Sequence, residues 1–315
     1  MSDWADWEII VRAKGADSSD DINSAVVTLI SKYGGGSIIL EPTTYYLQHS
    51  ITRASNVSIK GAFCGANCFD GIVSTGTILK WTGPPGFSVV YDAPSTGASR
   101  INNGGIRDLS IDGSGVASIG LASWNAFYPS YRKLHVVGVI VHAYYLSSQG
   151  TGPNYHPCLD DLTAALTGPA NGIVLDGPAV PGSNTCFLSA RNCHITFQNG
   201  CAYALCNADD CGFLDCASSM IIGGAGYGIY FGGSEDTGGA AKAAYGNRFI
   251  GWNSGNKAPI AARGGAFPSR GNYVLGNAVD GPPIIYQSSG ATLTVEAYDG
   301  EAGFNGFLRN PLKQG

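Results

Sequence analysis

Short apolar strands recur along the chain at a near-constant interval. Each has two apolar residues flanking one other residue, and the motif returns every 24–31 residues. A repeat of this length indicates a solenoid, in which no unit can bury its apolar face alone. The pairs expected to face inward are Val89/Tyr91, Ile119/Leu121, Tyr144/Leu146, Ile173/Leu175, Tyr203/Leu205, Ile229/Phe231, Ile260/Ala262 and Ile284/Tyr286. Because the units are strands with hardly any helical periodicity between them, the pattern predicts an all-β, parallel β-helix.

A second family of apolar segments lies between the members of this ladder. Its members are 56–61, 77–83, 106–113, 131–139, 190–200, 247–255 and 271–279. Residues 148–170 and 233–245 interrupt the pattern and contain no ladder strand. Insertions in a solenoid usually form loops on one side, so we expect both segments to be such loops.

One segment near the N-terminus has helical periodicity. Ser18 or Ser19 is suited to cap it, and Gly34 is suited to end it. Its apolar stripe consists of Ile22, Ala25, Val26, Leu29, Ile30 and Tyr33. The open end of a β-coil exposes unpaired strand edges, so we predict that a helix at about 19–33 covers that end.

The domain organisation follows from the solenoid. Residues 1–315 are expected to form one domain: an arm and capping helix to about 36, coils over about 37–290, and a closing segment over about 291–315. Crossovers between parallel strands are right-handed in nearly all cases, so the coil is expected to be right-handed.

Composition and charge exclude several function classes. The chain has 46 Gly, only 13% charged residues and a net charge of −5. Nucleic-acid binding requires a basic patch, and none is visible in the sequence. No apolar run approaches the roughly 20 residues that span a bilayer, and the N-terminus has no apolar region typical of a signal peptide.

The nine cysteines are an odd number, so at least one does not pair within the chain. Cys201, Cys206, Cys211 and Cys216 follow one another at five-residue steps, which do not match the spacing of structural zinc sites. Small thiols that fill gaps between coils are the favoured interpretation. A disulfide between Cys64 and Cys68 is the alternative, although reduced thiols are expected there as well.

The run from Lys14 to Leu47 carries a family resemblance. Its features are Gly15-Ala16-Asp17, Asp21, Ala25, Gly34–Gly36, Pro42 and Tyr45. The run resembles the first segment of the pectate-lyase-like right-handed β-helix superfamily, except that Thr43 and Thr44 stand where a Gly usually follows the Pro. This superfamily includes polysaccharide lyases, glycoside hydrolases and depolymerising phage tailspikes. The resemblance implies the fold, a polysaccharide substrate and an extracellular or virion-associated location, and it carries no catalytic residue.

Candidate catalytic residues come from aligning the ladder. The residues that directly follow each inward pair are Asp92, Ala122, Ser147, Asp176, Cys206, Gly232, Arg263 and Gln287. The turns near this position are acidic on three consecutive coils, and they contribute Asp176, Asp209, Asp210, Glu235 and Asp236. Carboxyl groups gathered in this way suit glycoside hydrolysis, in which one acts as an acid and another as a base or nucleophile. Exposed acidic residues that cap turns are the alternative interpretation.

Candidate substrate-binding residues lie on the 148–170 segment and on the ladder. They are Tyr155, His156, Asp160, Asp161, Tyr230 and Arg263. Capping of a short helix at 162–166 is the alternative role for Asp160 and Asp161. Sugar binding also needs exposed aromatic rings, for which Trp124, Tyr128, Tyr131, Tyr155, Tyr227 and Trp252 are candidates.

These observations predict a polysaccharide depolymerase that hydrolyses glycosidic bonds. Arg263, with Arg191, His194 and Arg248 on neighbouring strands, supports a lyase as the alternative, since a lyase needs a base and a cation for a uronate. A non-catalytic glycan-binding protein of a virion or cell surface is the other alternative. No cofactor is expected, although the acidic turns also allow a calcium ion without an EF-hand spacing.

We predict that the protein self-associates, as a trimer. The grounds are the analogy with tailspikes and a hydrophobic content of 44%, which is high for a thin solenoid. Light scattering at micromolar concentration should give three times the mass of the chain, and a clean monomer mass would contradict the prediction.

Overall fold

Parallel strand pairing between successive coils organises the whole chain in the computed structural model. The structure describes residues 7–64, 76–92, 101–147, 157–176, 185–186, 189–206, 208–209, 211–220, 224–232, 242–245, 248–250, 260–262, 272–275, 278–279, 285–287, 293–297 and 313–314. Every pairing between its named strands is parallel, so the predicted parallel β-helix is confirmed.

The elements follow one another as short strands, with a single helix in the described residues. The first part of the chain contains β1 (Glu8–Val11), α1 (Ser19–Tyr33), β2 (Gly36–Leu40), β3 (Thr44–Leu47), β4 (Ile51–Thr52), β5 (Val57–Lys60), β6 (Ile78–Trp81), β7 (Ser88–Asp92), β8 (Ile101–Asn102), β9 (Gly105–Asp112) and β10 (Ile119–Trp124). The middle part contains β11 (Ala126–Phe127), β12 (Ser130–Val137), β13 (His142–Ser147), β14 (Cys158–Ala165), β15 (Asn171–Asp176), β16 (Thr185–Cys186), β17 (Ser189–Arg191), β18 (His194–Phe197), β19 (Cys201–Cys206), β20 (Ala208–Asp209) and β21 (Cys211–Leu214). The last part contains β22 (Ala217–Met220), β23 (Tyr227–Gly232), β24 (Lys242–Tyr245), β25 (Arg248–Ile250), β26 (Ile260–Ala262), β27 (Asn272–Leu275), β28 (Ala278–Val279), β29 (Ile285–Gln287), β30 (Leu293–Ala297) and β31 (Lys313–Gln314).

Two large sheets run along the coil. The ladder sheet has ten strands in the order β4-β7-β10-β13-β15-β19-β23-β26-β29-β31. The bent sheet has seventeen strands and contains the second family of segments. Strands β30 and β31 of the expected closing segment pair with β27 and β29, so they continue the two sheets.

The bent sheet is divided by a column of residues in the left-handed conformation. Asp108, Lys133 and Asp161 have φ of 59°, 49° and 57° in the middle of β9, β12 and β14. On the next two coils, Asn192 and Asp215 have φ of 53° and 52° between separate strands. Asn and Asp tolerate this conformation better than most residues, so the sequence permits a sharp bend on each coil. We call the parts before and after this column the first and second halves of the sheet.

The strands of the sequence ladder are all present, but the register of three differs from the prediction. In β7 and β10 the pairs aligned with Tyr144/Leu146 are Val90/Asp92 and Leu121/Ser123. In β29 the pair is Ile285/Gln287. Asp92, Ala122 and Gln287 therefore do not belong to the column of Asp176, which instead contains Trp124 and Ser147.

A buried polar network explains the two shifts at β7 and β10. Asp92 faces the core, where its Oδ2 accepts hydrogen bonds from Arg53 Nε at 3.0 Å and Nη2 at 2.8 Å, and one from the Tyr131 hydroxyl. Ser123 Oγ lies 2.9 Å from the same phenol oxygen. Burial alone would lower the pKa of Arg53, but Asp92 and Tyr131 raise it. Because the inward positions here are polar, a rule that searches for apolar pairs chooses the wrong residues. Tyr131, a candidate for an exposed sugar-binding ring, is buried in this network.

The capping helix lies where it was predicted. Its side chains Ile22, Ala25, Val26 and Leu29 are buried in the same core cluster as the first coils. Gly34 ends the helix with φ of 73°, and its N–H donates to the Ile30 carbonyl. The left-handed conformation of Gly34 ends the helix, and β2 begins two residues later.

The segments 148–170 and 233–245 were predicted wrongly as loops, because each contains a strand of the bent sheet, β14 in the first and β24 in the second. Cys158–Ala165 forms β14, which pairs with β12 and β18. Leu159, Leu162 and Ala164 are buried, and the bend at Asp161 interrupts their alternation. This irregular spacing hid the strand from an analysis based on period two. Because Asp160 and Asp161 lie within a strand, the alternative role of capping a helix is excluded for both.

The five cysteines whose side chains the structure describes form no disulfide bond. Cys193 and Cys216 are buried, whereas Cys64, Cys158 and Cys201 are partly exposed. Burial raises the pKa of Cys193 well above its ordinary value. Cys68 lies outside the described residues. Within the described part of the chain, no helix is long and apolar enough to cross a membrane.

Replacing Arg53 with Met should destabilise the protein strongly. The change leaves the Asp92 carboxylate buried without its cation, which typically costs about 3–5 kcal/mol. Urea unfolding should show this loss, and adding Asp92→Leu should recover part of it. Arg12→Met removes an exposed pair with Glu41 and should change the free energy of unfolding by less than about 1 kcal/mol. Equal effects of Arg53→Met and Arg12→Met would contradict the assigned role of the network.

Candidate functional site

Aromatic rings lie side by side on the outer face of the ladder sheet. Tyr91 of β7, Trp124 of β10 and Tyr145 of β13 come from three consecutive coils. The ring centroids of Tyr91 and Trp124 are 6.4 Å apart, and those of Trp124 and Tyr145 are 5.4 Å apart. Tyr91 is 38% exposed, and the other two rings are partly exposed. Such rings offer flat apolar surfaces with a polar edge, which suit the faces and hydroxyls of sugars.

His142 adds an oriented imidazole to this surface. Its ring stacks on that of Tyr145 with centroids 4.9 Å apart. The Cys201 N–H donates to Asn171 Oδ1 at 2.8 Å, which turns the Asn171 amide nitrogen towards His142 Nδ1 at 3.3 Å. Because an amide nitrogen only donates, Nδ1 accepts and the proton of the neutral ring lies on Nε2. Burial lowers the pKa of His142 to about 4, so the ring is neutral at neutral pH.

Asp176 is the predicted catalytic residue that lies on this surface. It ends β15, and its Oδ2 accepts a hydrogen bond from the Tyr145 hydroxyl at 2.9 Å. It stands in one column with Trp124 and Ser147, and its side chain is partly exposed. The structure therefore places a carboxylate at the edge of the aromatic surface.

A second pair of aromatic rings lies further along the same sheet. Tyr230 of β23, predicted to bind substrate, occupies the same register position as Tyr145, three coils away. Its ring centroid is 6.0 Å from that of Tyr227. Of the predicted aromatic residues, Tyr128 is also exposed, but it lies outside the ladder strands between β11 and β12.

Other predicted residues lie on a different sheet. Asp160 and Asp161 belong to the bent sheet, where Asp160 is in register with Arg132 and Arg191. Asp160 Oδ1 accepts a hydrogen bond from Asn192 Nδ2 at 3.2 Å. The structure thus does not bring Asp160 or Asp161 into one cluster with Asp176.

The basic residues considered for a lyase are only partly described. His194 Nε2 is 2.9 Å from Ser219 Oγ on the second half of the bent sheet, and burial lowers the His194 pKa. Arg248 begins β25.

Asp209, a predicted catalytic residue, lies on β20, with its backbone in register with Cys186 of β16. The predicted residues outside the described part are Tyr155, His156, Asp210, Glu235, Asp236, Trp252 and Arg263.

No group of three or more His, Cys, Asp or Glu side chains in the described residues is placed to hold a metal ion. The acidic turns considered for calcium lie mostly outside these residues.

Tyr145, His142 and Asn171 were missed by the sequence analysis. A usable signal exists for Tyr145, because it stands between the inward residues Tyr144 and Leu146 and must face outward. His142 lies at the start of its strand and Asn171 at the start of the next, in register with each other. The ladder alignment compared only the inward pairs and the residue after each pair, so His142 and Asn171 received no functional interpretation.

His142 should titrate far below an ordinary histidine. Its folded pKa is about 4, whereas the unfolded value is about 6.5. The unfolded state therefore takes up its proton first, and the free energy of unfolding should fall as pH decreases from about 6.5 to about 4. Imidazole resonances followed by NMR should show a neutral His142 down to about pH 5, and a midpoint near 6.5 would contradict the burial of this ring.

Comparisons with known proteins relate this fold to that of phage proteins and a glucanase. No protein-family model matches the chain, and no curated protein sequence matches it. The N-terminal fragment of gene product 12 of bacteriophage Phi29 is 12% identical, with a TM-score of 0.58 over 91% of this chain and 65% of that one. Tailspike protein gp49 of the Acinetobacter baumannii bacteriophage Fri1, a capsular polysaccharide depolymerase, is 11% identical with a TM-score of 0.55 over 92% and 62%.

The catalytic domain of a GH87 α-1,3-glucanase in complex with nigerose is 11% identical, with a TM-score of 0.52 over 97% of this chain and 67% of that one. The chain spans less than two thirds of the length of the two phage proteins. At these identities the comparisons concern the fold alone. The chain therefore shares the parallel β-helix fold of these structures.

Proposed function

We propose that the chain is a polysaccharide depolymerase whose active site is the outer face of the ladder sheet. One observation carries this proposal: the Asp176 carboxylate, held by the Tyr145 hydroxyl, borders a row of partly exposed aromatic rings. The rings provide a platform for sugars, and the carboxylate provides a group for chemistry at the bond between them.

Hydrolysis of a glycosidic bond requires two carboxyl groups with different roles. Asp176 accepts a hydrogen bond from Tyr145, an arrangement that suits the base or nucleophile, since the acid must donate its own proton. The acid then comes from the acidic turns of the next coils, that is, from Asp209, Asp210, Glu235 or Asp236. Neutral His142, with its proton on Nε2, is a hydrogen-bond donor for a sugar hydroxyl.

The compared structures support the same substrate class. The Fri1 tailspike is a capsular polysaccharide depolymerase, and the glucanase was captured with the disaccharide nigerose. By analogy with the phage proteins, we place this chain outside the cell or on a virion, as part of a homotrimer.

Incubation with a panel of bacterial and plant polysaccharides tests the reaction class. A hydrolase releases reducing ends without absorbance from unsaturated uronates. Unsaturated products would instead indicate the lyase alternative. Binding without any cleavage would indicate a glycan-binding protein and contradict the proposed activity.

Replacing Asp176 with Asn should lower turnover at least about a hundredfold, which is the usual scale for losing a general acid or base. The amide has nearly the same shape, so the melting temperature should change little. Asp215→Asn is the matched control, because Asp215 is exposed at a bend of the other sheet where Asn is also tolerated. Turnover should be measured on whichever polysaccharide the panel identifies. Equal activity of both variants would exclude Asp176 from the chemistry.

A further inference from the structure

A column of basic side chains follows the outer face of the first half of the bent sheet. Lys60 of β5, Arg107 of β9 and Arg132 of β12 are in register on three consecutive coils. Asp160 occupies the position on the fourth coil, and Arg191 occupies it on the fifth. In a chain with a net charge of −5, four cations at one register position form a local concentration of positive charge.

The first three cations border a groove of about 160 Å³. Ser58 and Ser130 lie on its other side, two residues before Lys60 and Arg132 in their strands. Gly105 stands between the two serines in register, and a Cβ atom there would lie 1.8 Å from the Ser130 carbonyl oxygen. A glycine is thus required at this position. The floor of the groove between the two serines therefore consists of backbone without a side chain.

Nearby carboxylates neutralise the column only in part. Lys60 Nζ is 3.8 Å from Glu8, and Arg107 Nε is 3.7 Å from Asp108, so both ion pairs are long. The Arg107 side chain is 50% exposed. Arg132 Nη2 approaches Cys158 Sγ at 3.4 Å. The Asp160 carboxylate on the next coil attracts Arg132, although the two form no close ion pair in the described part of the chain.

Spacing decides what kind of anion fits this column. Neighbouring coils lie about 4.8 Å apart, so the column presents one cation per coil along the helix axis. A single phosphate engages only one or two of these positions. A linear polyuronate carries one carboxylate per sugar ring, and a ring is about as long as the coil spacing.

We propose that this groove binds a linear acidic polysaccharide lying along the axis of the coil. Its acidic groups pair with Lys60, Arg107 and Arg132, and its hydroxyls bond to Ser58 and Ser130. This binding surface goes beyond the proposed catalytic function, because it belongs to a different sheet from Asp176 and requires no cleavage.

Polygalacturonate and its fully methyl-esterified form are suitable probes, since they have the same backbone and differ in charge. Immobilised polymers should be compared for binding of the full chain at low and at physiological ionic strength. We expect binding to polygalacturonate that weakens with salt, and at least about tenfold weaker binding to the ester. Equal binding to both polymers, or no binding to polygalacturonate, overturns the proposal.

The variant Arg107→Gln/Arg132→Gln tests the location. Both side chains are exposed, so the melting temperature should be retained, and affinity for polygalacturonate should fall at least about tenfold, the scale of one charged hydrogen bond. Lys14→Gln/Lys32→Gln removes the same charge from exposed positions beside or on α1 and should leave the affinity unchanged. Equal losses in both variants would show that only net charge matters and would overturn the proposal.

Asp176→Asn separates this proposal from the proposed catalytic function. It should leave polygalacturonate affinity unchanged, because Asp176 lies on the ladder sheet. If Asp176→Asn weakens binding and the arginine variant does not, the polymer binds at the ladder sheet and the groove proposal falls. If the arginine variant loses affinity while Asp176→Asn keeps full turnover, the groove proposal stands and the catalytic proposal falls.

Discussion

Hydrogen bonding between successive coils is the constraint on which the rest of this structure depends. Each strand can satisfy its backbone N–H and C=O groups only through the coils before and after it. Parallel pairing therefore keeps equivalent residues of neighbouring coils one strand spacing apart. Inward positions stack into the apolar core, and outward positions stack into columns on the surface. The basic surface is one such column, and the ladder-sheet surface combines two neighbouring columns.

The same constraint explains why a charged pair is tolerated in the core. Arg53 and Asp92 are both fully buried, and Arg53 Nη1 also donates to the carbonyls of Ala54, Val57 and Asn103. The Ala54 and Asn103 carbonyls lie between strands, and the Val57 carbonyl lies at the start of β5. In the sequence, Asp92 is a polar residue that interrupts the apolar pattern of the ladder. In the fold, its pair with Arg53 connects the backbone around β5 to β7.

The fold was largely predictable because its signals are local and repeated. The helix at Ser19–Tyr33 has a complete apolar stripe and a glycine end, and the ladder strands return at nearly equal intervals. Register was less predictable where Asp92 and Ser123 occupy inward positions, since their partners Arg53 and Tyr131 are distant in sequence. Strand β14 was missed because the bend at Asp161 breaks its alternation. Of the candidate site, Asp176 was found from the column rule. Tyr145 and His142 were not, because that rule considers only the residue after each inward pair.

The two sheets present different chemistry from one repeated backbone. The ladder sheet combines aromatic rings with a carboxylate, and the first half of the bent sheet combines cations with hydroxyls. On a parallel β-helix, each such surface can bind an extended polymer without any change of the core. We propose that sugar chains are cleaved on the outer face of the ladder sheet.

A crystal structure of the Asp176→Asn variant with a bound oligosaccharide of its substrate tests this claim most directly. We expect sugar rings against Trp124 and Tyr145, with the scissile linkage next to residue 176. An oligosaccharide bound only to the second half of the bent sheet, with the ladder sheet empty, would contradict it.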